Sequence, residues 1–275
     1  MAEILLKLRG GLGNQLFQYS AGVFYARKLD AKLIIDDSSV YKHPDPTRRS
    51  WLKKIDCIST FGFSRVKWVQ NSRRFYLKIQ DSYFTNRIYV NEKFLESTNE
   101  LLEPTKVFDW FHSKEYVESL RNSISSNSDF RLKLQFKDTT TNVELKLPAQ
   151  KAAMHIRLGD FKGTTWGVLP SDWYLARVRT LLGEGIEEID CYSDDLVALK
   201  EIVGKWNLKC NFRFPEYTDI LHPHELLLAL TRYPTFISSN STLSWWGSYF
   251  NTNFSSKIYC NWNDSLRLKE WIYCK

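Results

Sequence analysis

Residues 3–8 of this 275-residue chain are apolar and run straight into Gly10, Gly11 and Gly13. Residues 14–29 follow with Leu16, Phe17, Ala21, Phe24 and Leu29 at helical spacing, and residues 32–36 are apolar again. Strand, glycine turn, helix and strand in that succession form a βαβ unit, whose two strands must run parallel in one sheet. The same alternation returns after Pro148. Residues 152–158, 188–193, 210–214 and 236–238 read as strands, and residues 173–182, 196–206, 224–232 and 242–250 read as helices. Residues 111–126 read as one more helix. Residues 130–148 are polar, Thr-rich at 139–141, and read as a linker. Residues 40–110 are aromatic and basic and show no periodicity that assigns them. The fold class expected is α/β. Two Rossmann-like domains, 1–148 and 149–275, would enclose a cleft, with ligands bound at the carboxyl ends of the strands.

Composition narrows the class further. Ten Trp, 14 Tyr and 17 Phe with 25% charged residues exclude a disordered chain. No apolar run reaches the length of a membrane span. The opening MAEILLKLRGG has an early acid and a very short apolar run, so no secretory signal is expected. The five cysteines are scattered without a CxxC pair, which points to reduced thiols in the cytoplasm and to no zinc site. The net charge of +7 is uneven: residues 1–148 hold 24 basic and 17 acidic side chains, residues 149–275 hold 14 of each. The excess peaks over residues 42–78, interleaved with Trp51, Phe61, Phe63, Trp68, Phe75 and Tyr76. A solvated basic face is the plain reading. An anionic membrane surface is the functional one. No nucleic-acid motif accompanies the patch, so no nucleic-acid partner is expected.

Four motifs carry chemistry. The turn Gly10-Gly11-Leu12-Gly13-Asn14-Gln15 ends a strand and opens a helix, where backbone can approach a ligand and the helix end favours an anion. A dinucleotide fingerprint would need a third glycine at position 16, which is leucine. A tight βα turn explains the same residues. In His155-Ile156-Arg157-Leu158-Gly159-Asp160, strand alternation puts His155 and Arg157 on one face, and Asp160 can clamp Arg157. A guanidinium held that way suits a diphosphate; a core histidine with a structural Arg–Asp pair is the alternative. In Tyr192-Ser193-Asp194-Asp195, one carboxylate can cap the next helix and the other can meet a ribose or base. Ser239-Asn240-Ser241-Thr242 opens the last helix with hydroxyls and an amide, which is the make-up of a phosphate cradle. Trp245 and Trp246 behind it read as core rather than as a sugar platform. No Asp-x-Asp pair occurs anywhere in the chain, so a nucleotide-sugar enzyme built on this sequence must neutralise a leaving diphosphate with Arg, N–H groups and hydroxyls.

Together GGLGNQLFQYSAG at 10–22, HIRLGDF at 155–161, YSDD at 192–195 and SNSTLSWWG at 239–247 resemble the bacterial family 11 glycosyltransferases, the α-1,2-fucosyltransferases, along the whole chain and in family order. The resemblance implies a GT-B-like fold. It also implies inverting, metal-independent transfer of L-fucose from GDP-β-L-fucose to a galactosyl acceptor, with no cofactor. Such work belongs to O-antigen or surface-polysaccharide synthesis on an oligosaccharide, lipid-linked in some cases, at the cytoplasmic face of the membrane. By that likeness Arg157 holds the pyrophosphate, His155 lies beside it and Asp160 orients Arg157. Gly11, Gly13, Asn14 and Gln15 would reach the donor from the first domain. Ser239, Asn240, Ser241 and Thr242 would bind phosphate or fucose, and Asp194, Asp195 and Glu225 would contact the nucleoside. One departure stands out: the family pattern has a second arginine where this chain has Leu158, which leaves transfer of another GDP-hexose as a rival. HPHELLLAL at 222–230 is also looser than the family's stretch. A nicotinamide oxidoreductase and a non-catalytic glycan- or membrane-binding module are the rivals from other classes.

Overall fold

The computed structural model describes residues 3–57, 62–69, 87–89, 112–123, 151–164, 167–215, 223–251 and 257–274. The chain divides into two compact units, Met1–Asp138 and Thr139–Lys275. The division comes earlier than Pro148, within the polar stretch 130–148, whose residues lie outside those described.

In the first unit, β1 (Glu3–Lys7), α1 (Leu12–Lys28) and β2 (Lys32–Asp36) form the βαβ element. β3 (Val66–Val69) and β4 (Arg87–Tyr89) complete a parallel sheet in the order β3-β2-β1-β4. The helix starts two residues before the sequence pattern suggests, because Leu12 and Gly13 already belong to its first turn. It is buried on nearly every side. A Cβ at Gly22 would lie 2.9 Å from Leu33 Cδ1 and 3.2 Å from Leu6 Cδ2, so glycine lets α1 settle onto the strands. α2 (Lys114–Ser123) covers another flank of α1, where the Tyr25 hydroxyl donates to that of Tyr116 at 2.9 Å. Within the stretch that sequence leaves unassigned, two 3₁₀ turns, Pro46–Arg48 and Trp51–Lys54, follow β2.

The second unit alternates β5 (Lys151–Ile156), α3 (Ser171–Gly183), β6 (Glu188–Ser193), α4 (Leu196–Gly204), β7 (Asn211–Arg213), α5 (Pro223–Leu230), β8 (Thr235–Ile237), α6 (Thr242–Tyr249), β9 (Lys257–Cys260) and β10 (Ile272–Tyr273). All six strands are parallel, in the order β10-β9-β8-β5-β6-β7. Counted from β5, this is the doubly wound nucleotide-binding order, and the chain reverses direction between β5 and β8. Met154, Ile156, Ile189, Cys191 and Ile237 build the core with Trp173, Tyr174 and Val178 of α3. Trp245 and Trp246 are fully buried, the first stacked on Tyr249 at 9° and the second on Phe250 at 24°, so they are packing residues. α5 and α6 touch closely: a Cβ at Gly247 would lie 2.8 Å from Leu230 Cβ. β5 stops at Ile156 rather than running to Leu158. The Leu158 and Gly159 N–H groups turn instead to the Asp194 carboxylate.

Candidate functional site

In an open parallel sheet, the crevice for a ligand lies outside the carboxyl ends of the strands on either side of the reversal. Here those strands are β5 and β8. His155 and Ile156 close β5, and Arg157 is the first residue past it. Ser238–Ser241 follow β8 and lead into α6. Register supplies the third component: Ile156 pairs with Ser193, which brings Asp194 level with Arg157.

Arg157 is held from two sides. Its Nε and Nη2 both lie 2.9 Å from Asp160 Oδ1, and its Nε lies 3.1 Å from Asp194 Oδ2. Asp160 therefore clamps the guanidinium through its Oδ1. Cζ of Arg157 also stands 5.9 Å from the centre of the Phe161 ring. The side chain remains 18% exposed, so the fixed cation still faces solvent. Asp194 accepts the Leu158 N–H at 2.8 Å and the Gly159 N–H at 2.9 Å. A Cβ at Gly159 would lie 2.5 Å from that carboxylate, so only glycine fits.

Of the two aspartates, one is the expected helix cap and the other has a task in the loop after β5. Asp194 organises the loop that carries Arg157. Asp195 caps α4 through the Ala198 N–H at 3.0 Å and pairs with Lys162 at 3.0 Å. Those two partners also hold the Asp195 carboxyl below its ordinary range. Both carboxylates thus support the protein.

The start of α6 is equally ordered. Ser241 is the N-cap, accepting the Leu243 N–H at 3.3 Å. The Asn240 side chain donates to the Gly167 carbonyl at 3.0 Å. Thr242 opens the helix and is partly exposed. Ser239 is fully buried, and its hydroxyl accepts the Ser241 N–H at 3.2 Å, so that side chain shapes the cradle from beneath instead of lining it. His155 is 1% exposed, with Nδ1 against the hydroxyls of Ser244 and Ser239, the latter at 3.2 Å. Its Nε2 is buried and has no hydrogen-bond partner among the described residues. Burial pushes the imidazole pKa down to about 4, with Arg157 adding to the shift and Asp194 opposing it, so the ring is neutral at physiological pH.

In the first unit, Gly10 takes a left-handed conformation (φ 70°) and Gly11 stands at the start of α1 without a side-chain cap. The long helix thus begins without an acid in its first turn, a favourable place for negative charge. Asn14 Oδ1 lies 3.0 Å from His112 Nε2. Gln15 is not available to a ligand. It is fully buried, donates to the Gly10 carbonyl at 2.8 Å and the Arg49 carbonyl at 2.7 Å, and accepts the Leu52 N–H at 3.1 Å. Its role is to tie the basic loop after β2 to the glycine turn. Buried Asp37 assists, bound by the Ser50 hydroxyl and the Lys53 ammonium at 2.6 Å each. Lys53 in turn sits 5.4 Å from the Tyr41 ring centre and 5.1 Å from that of Trp68. Glu225 is exposed on α5.

No family model matches the chain. Over 96% of its length it is 27% identical to the O-antigen biosynthesis glycosyltransferase WbnK of Escherichia coli, 98% of which is covered. Among solved structures it is similar to POFUT1 in complex with GDP-fucose, with a TM-score of 0.55 and 13% identity over 99% of this chain and 98% of that one. It is also similar to NodZ alpha-1,6-fucosyltransferase soaked with GDP-fucose, with a TM-score of 0.51 and 11% identity over 90% and 92%. The chain has the α/β, parallel-sheet fold of the GT-B fucosyltransferase structures. At these identities the likeness to solved structures is one of fold.

Three contributors escape a reading of the sequence. His112 meets Asn14 across 98 positions, and nothing local marks it. Gln18, which both accepts the Arg9 N–H at 2.9 Å and donates to the Arg9 carbonyl at 3.2 Å, looks like one more polar residue in a helix. Ser244 sits inside SNSTLSWWG, one turn into α6, where its hydroxyl reaches back to His155. The spacing from Ser241 was the signal available. Among the described residues no helix is long and apolar enough to cross a membrane, and no three His, Cys, Asp or Glu side chains converge as metal ligands would.

Proposed function

We propose that this chain is an inverting, metal-independent glycosyltransferase that moves L-fucose from GDP-β-L-fucose to O-2 of a galactosyl acceptor in O-antigen or related surface-polysaccharide synthesis. The observation that carries the reading is the fixed Arg157 guanidinium at the carboxyl end of β5, across the strand-order reversal from the serine-rich start of α6. The whole-length similarity to an O-antigen biosynthesis glycosyltransferase and the fold shared with GDP-fucose-bound structures support the GDP-sugar donor.

The acceptor hydroxyl oxygen bonds to C1 of fucose as the bond from C1 to the β-phosphate oxygen breaks. The electron pair leaves with GDP, the hydroxyl proton passes to solvent, and the β donor becomes an α product. Negative charge grows on the leaving diphosphate. Arg157, preorganised by Asp160 and Asp194, meets it, with the Ser241–Thr242 end of the α6 dipole and the adjacent Asn240. His155 lies beneath this pair. Gly11, Gly13 and Asn14 are assigned to substrate binding, and Glu225 to the nucleobase. The Leu158 departure leaves this machinery intact: Leu158 is 3% exposed and turned into the core, so the guanidinium concerned is that of Arg157 alone.

Arg157→Ala is expected to lower transfer from GDP-fucose by on the order of 10²–10³ while thermal unfolding stays cooperative. Near wild-type turnover would refute the assignment. Product linkage, read by NMR of the disaccharide, tests the α-1,2 bond, and GDP-mannose in parallel tests the rival donor.

The basic loop suggests where the acceptor is met. Lys42 and Arg49 stand exposed in this loop beside Tyr41, while Lys53 is held by Asp37 against Tyr41 and Trp68. We assign this face to an anionic membrane carrying a lipid-linked oligosaccharide, at the cytoplasmic side. Phe61, Phe75 and Tyr76, of the same stretch, lie outside the described residues. Co-sedimentation with vesicles should rise with phosphatidylglycerol content and fall with salt. Binding indifferent to both would reject the membrane contact.

A further inference from the structure

We infer that Ser244, inside α6, is a positioning residue that locks His155 in the neutral tautomer with its proton on Nε2. The inference rests on the reading of His155 as a residue of the donor site. It makes that side chain a fixed neutral ring beneath the cradle rather than a proton acceptor.

Proton counting carries the assignment. Nδ1 of His155 lies against the Ser244 hydroxyl and 3.2 Å from that of Ser239. The two hydroxyl oxygens are 2.8 Å apart, and the Ser241 N–H points at Ser239 from 3.2 Å. All three side chains are buried. With the ring proton on Nε2, each hydroxyl proton has an acceptor. The Ser241 amide donates to Ser239, Ser239 to Ser244, and Ser244 to the bare Nδ1. With the ring proton on Nδ1, the imidazole donates to one hydroxyl, that hydroxyl donates to the other, and the last hydroxyl proton meets only donors. Either form leaves one buried proton without an acceptor, the Nε2 proton in the first and a hydroxyl proton in the second, but the second also strands the bare Nε2 lone pair and is the less stable. A doubly protonated ring fails by the same count and by its burial.

The chain of bonds therefore runs one way, from the amide of the α6 N-cap to the imidazole, and leaves one donor over. That donor is Nε2, which has no hydrogen-bond partner among the described residues, two positions before Arg157. Because Nε2 is shielded, the N–H acts on the site through the fixed place of the ring in this network rather than by touching a ligand. Ser244 is the link that joins the helix start to the ring, so the cradle and His155 are set by one network.

Nitrogen-15 NMR of the whole protein, labelled at histidine and assigned with His155→Asn, reads the tautomer at pH 7. We expect a protonated Nε2 and a bare Nδ1 in the wild type. A protonated Nδ1 would overturn the inference without any variant being made. In Ser244→Ala we expect a mixture of tautomers and a kcat lower by on the order of 10- to 100-fold, with the GDP-induced rise in Tm retained. Ser244→Thr, which keeps the hydroxyl, should restore both the tautomer and turnover. Ser244→Ala with an unchanged ring and unchanged kcat would also overturn the role. Wild-type protein that shows the Nε2 proton but transfers no fucose would instead count against the function proposed above.

Discussion

His155 couples acidity to stability at a single side chain. Its folded pKa is depressed by burial to about 4 from an ordinary 6.5, so between those values the unfolded chain binds the proton more readily. Stability from the neutral ring is complete above about pH 6.5 and is lost as pH falls toward 4, by on the order of 3 kcal/mol. Tm measured from pH 7 to 4.5 should fall more steeply in the wild type than in His155→Asn. Equal slopes would mean the ring is hydrated. Gly159 offers a second check at this scale. Gly159→Ala places a methyl on the Asp194 carboxylate, which must then release the Leu158 and Gly159 amides and loosen Arg157. Unfolding free energy should drop by about 1–3 kcal/mol, and kcat/KM should fall with it. The clamp of Asp160 on Arg157 was legible because the two are three residues apart. The larger part played by Asp194 was not, since it depends on Ile156 pairing with Ser193 across β5 and β6. Ser239 shows the same limit: composition places a hydroxyl at the helix start, but only packing decides that it faces inward.

Elements differ in how openly the sequence declares them. β2 and β6 match their expected bounds because apolar strand residues abut clear turn and cap signals. β9 and β10 were not expected; β10 pairs over just two residues, too few to show a period. β5 ends early for a reason no alternation pattern contains, the capture of two amides by a carboxylate. By sequence the turn into α1 suits a ligand or a tight βα connection alike, and Gln15 within it is a brace. Gln15→Leu keeps the size of the side chain and strands two carbonyls and the Leu52 amide. Urea unfolding should show a loss of about 1–3 kcal/mol, and exchange of the Leu52 amide should accelerate. An unchanged exchange rate would show that the loop after β2 is held by other means.

At the scale of the molecule, each unit is a parallel α/β body, and the second has the strand order that sets a nucleotide at one predictable end. Alternating βα segments with right-handed crossovers imply a parallel sheet, which is why fold class was legible from sequence, whereas the strand order is set by packing. The division between units was less so, because polar stretches such as 130–148 give a region rather than a position. Charge separates the halves as well, all of the +7 excess lying before residue 149. The proposed chemistry depends on a GDP moiety gripped at the end of β5 by Arg157. Thermal unfolding of wild type and Arg157→Ala, each with GDP, UDP, CMP, dTDP or NAD, measures that grip directly. GDP alone should stabilise the wild type, by about 2.7 kcal/mol at a hundredfold excess over Kd, and Arg157→Ala should lose the response. Stabilisation by NAD or UDP equal to that by GDP, or an undiminished GDP response in Arg157→Ala, would contradict it.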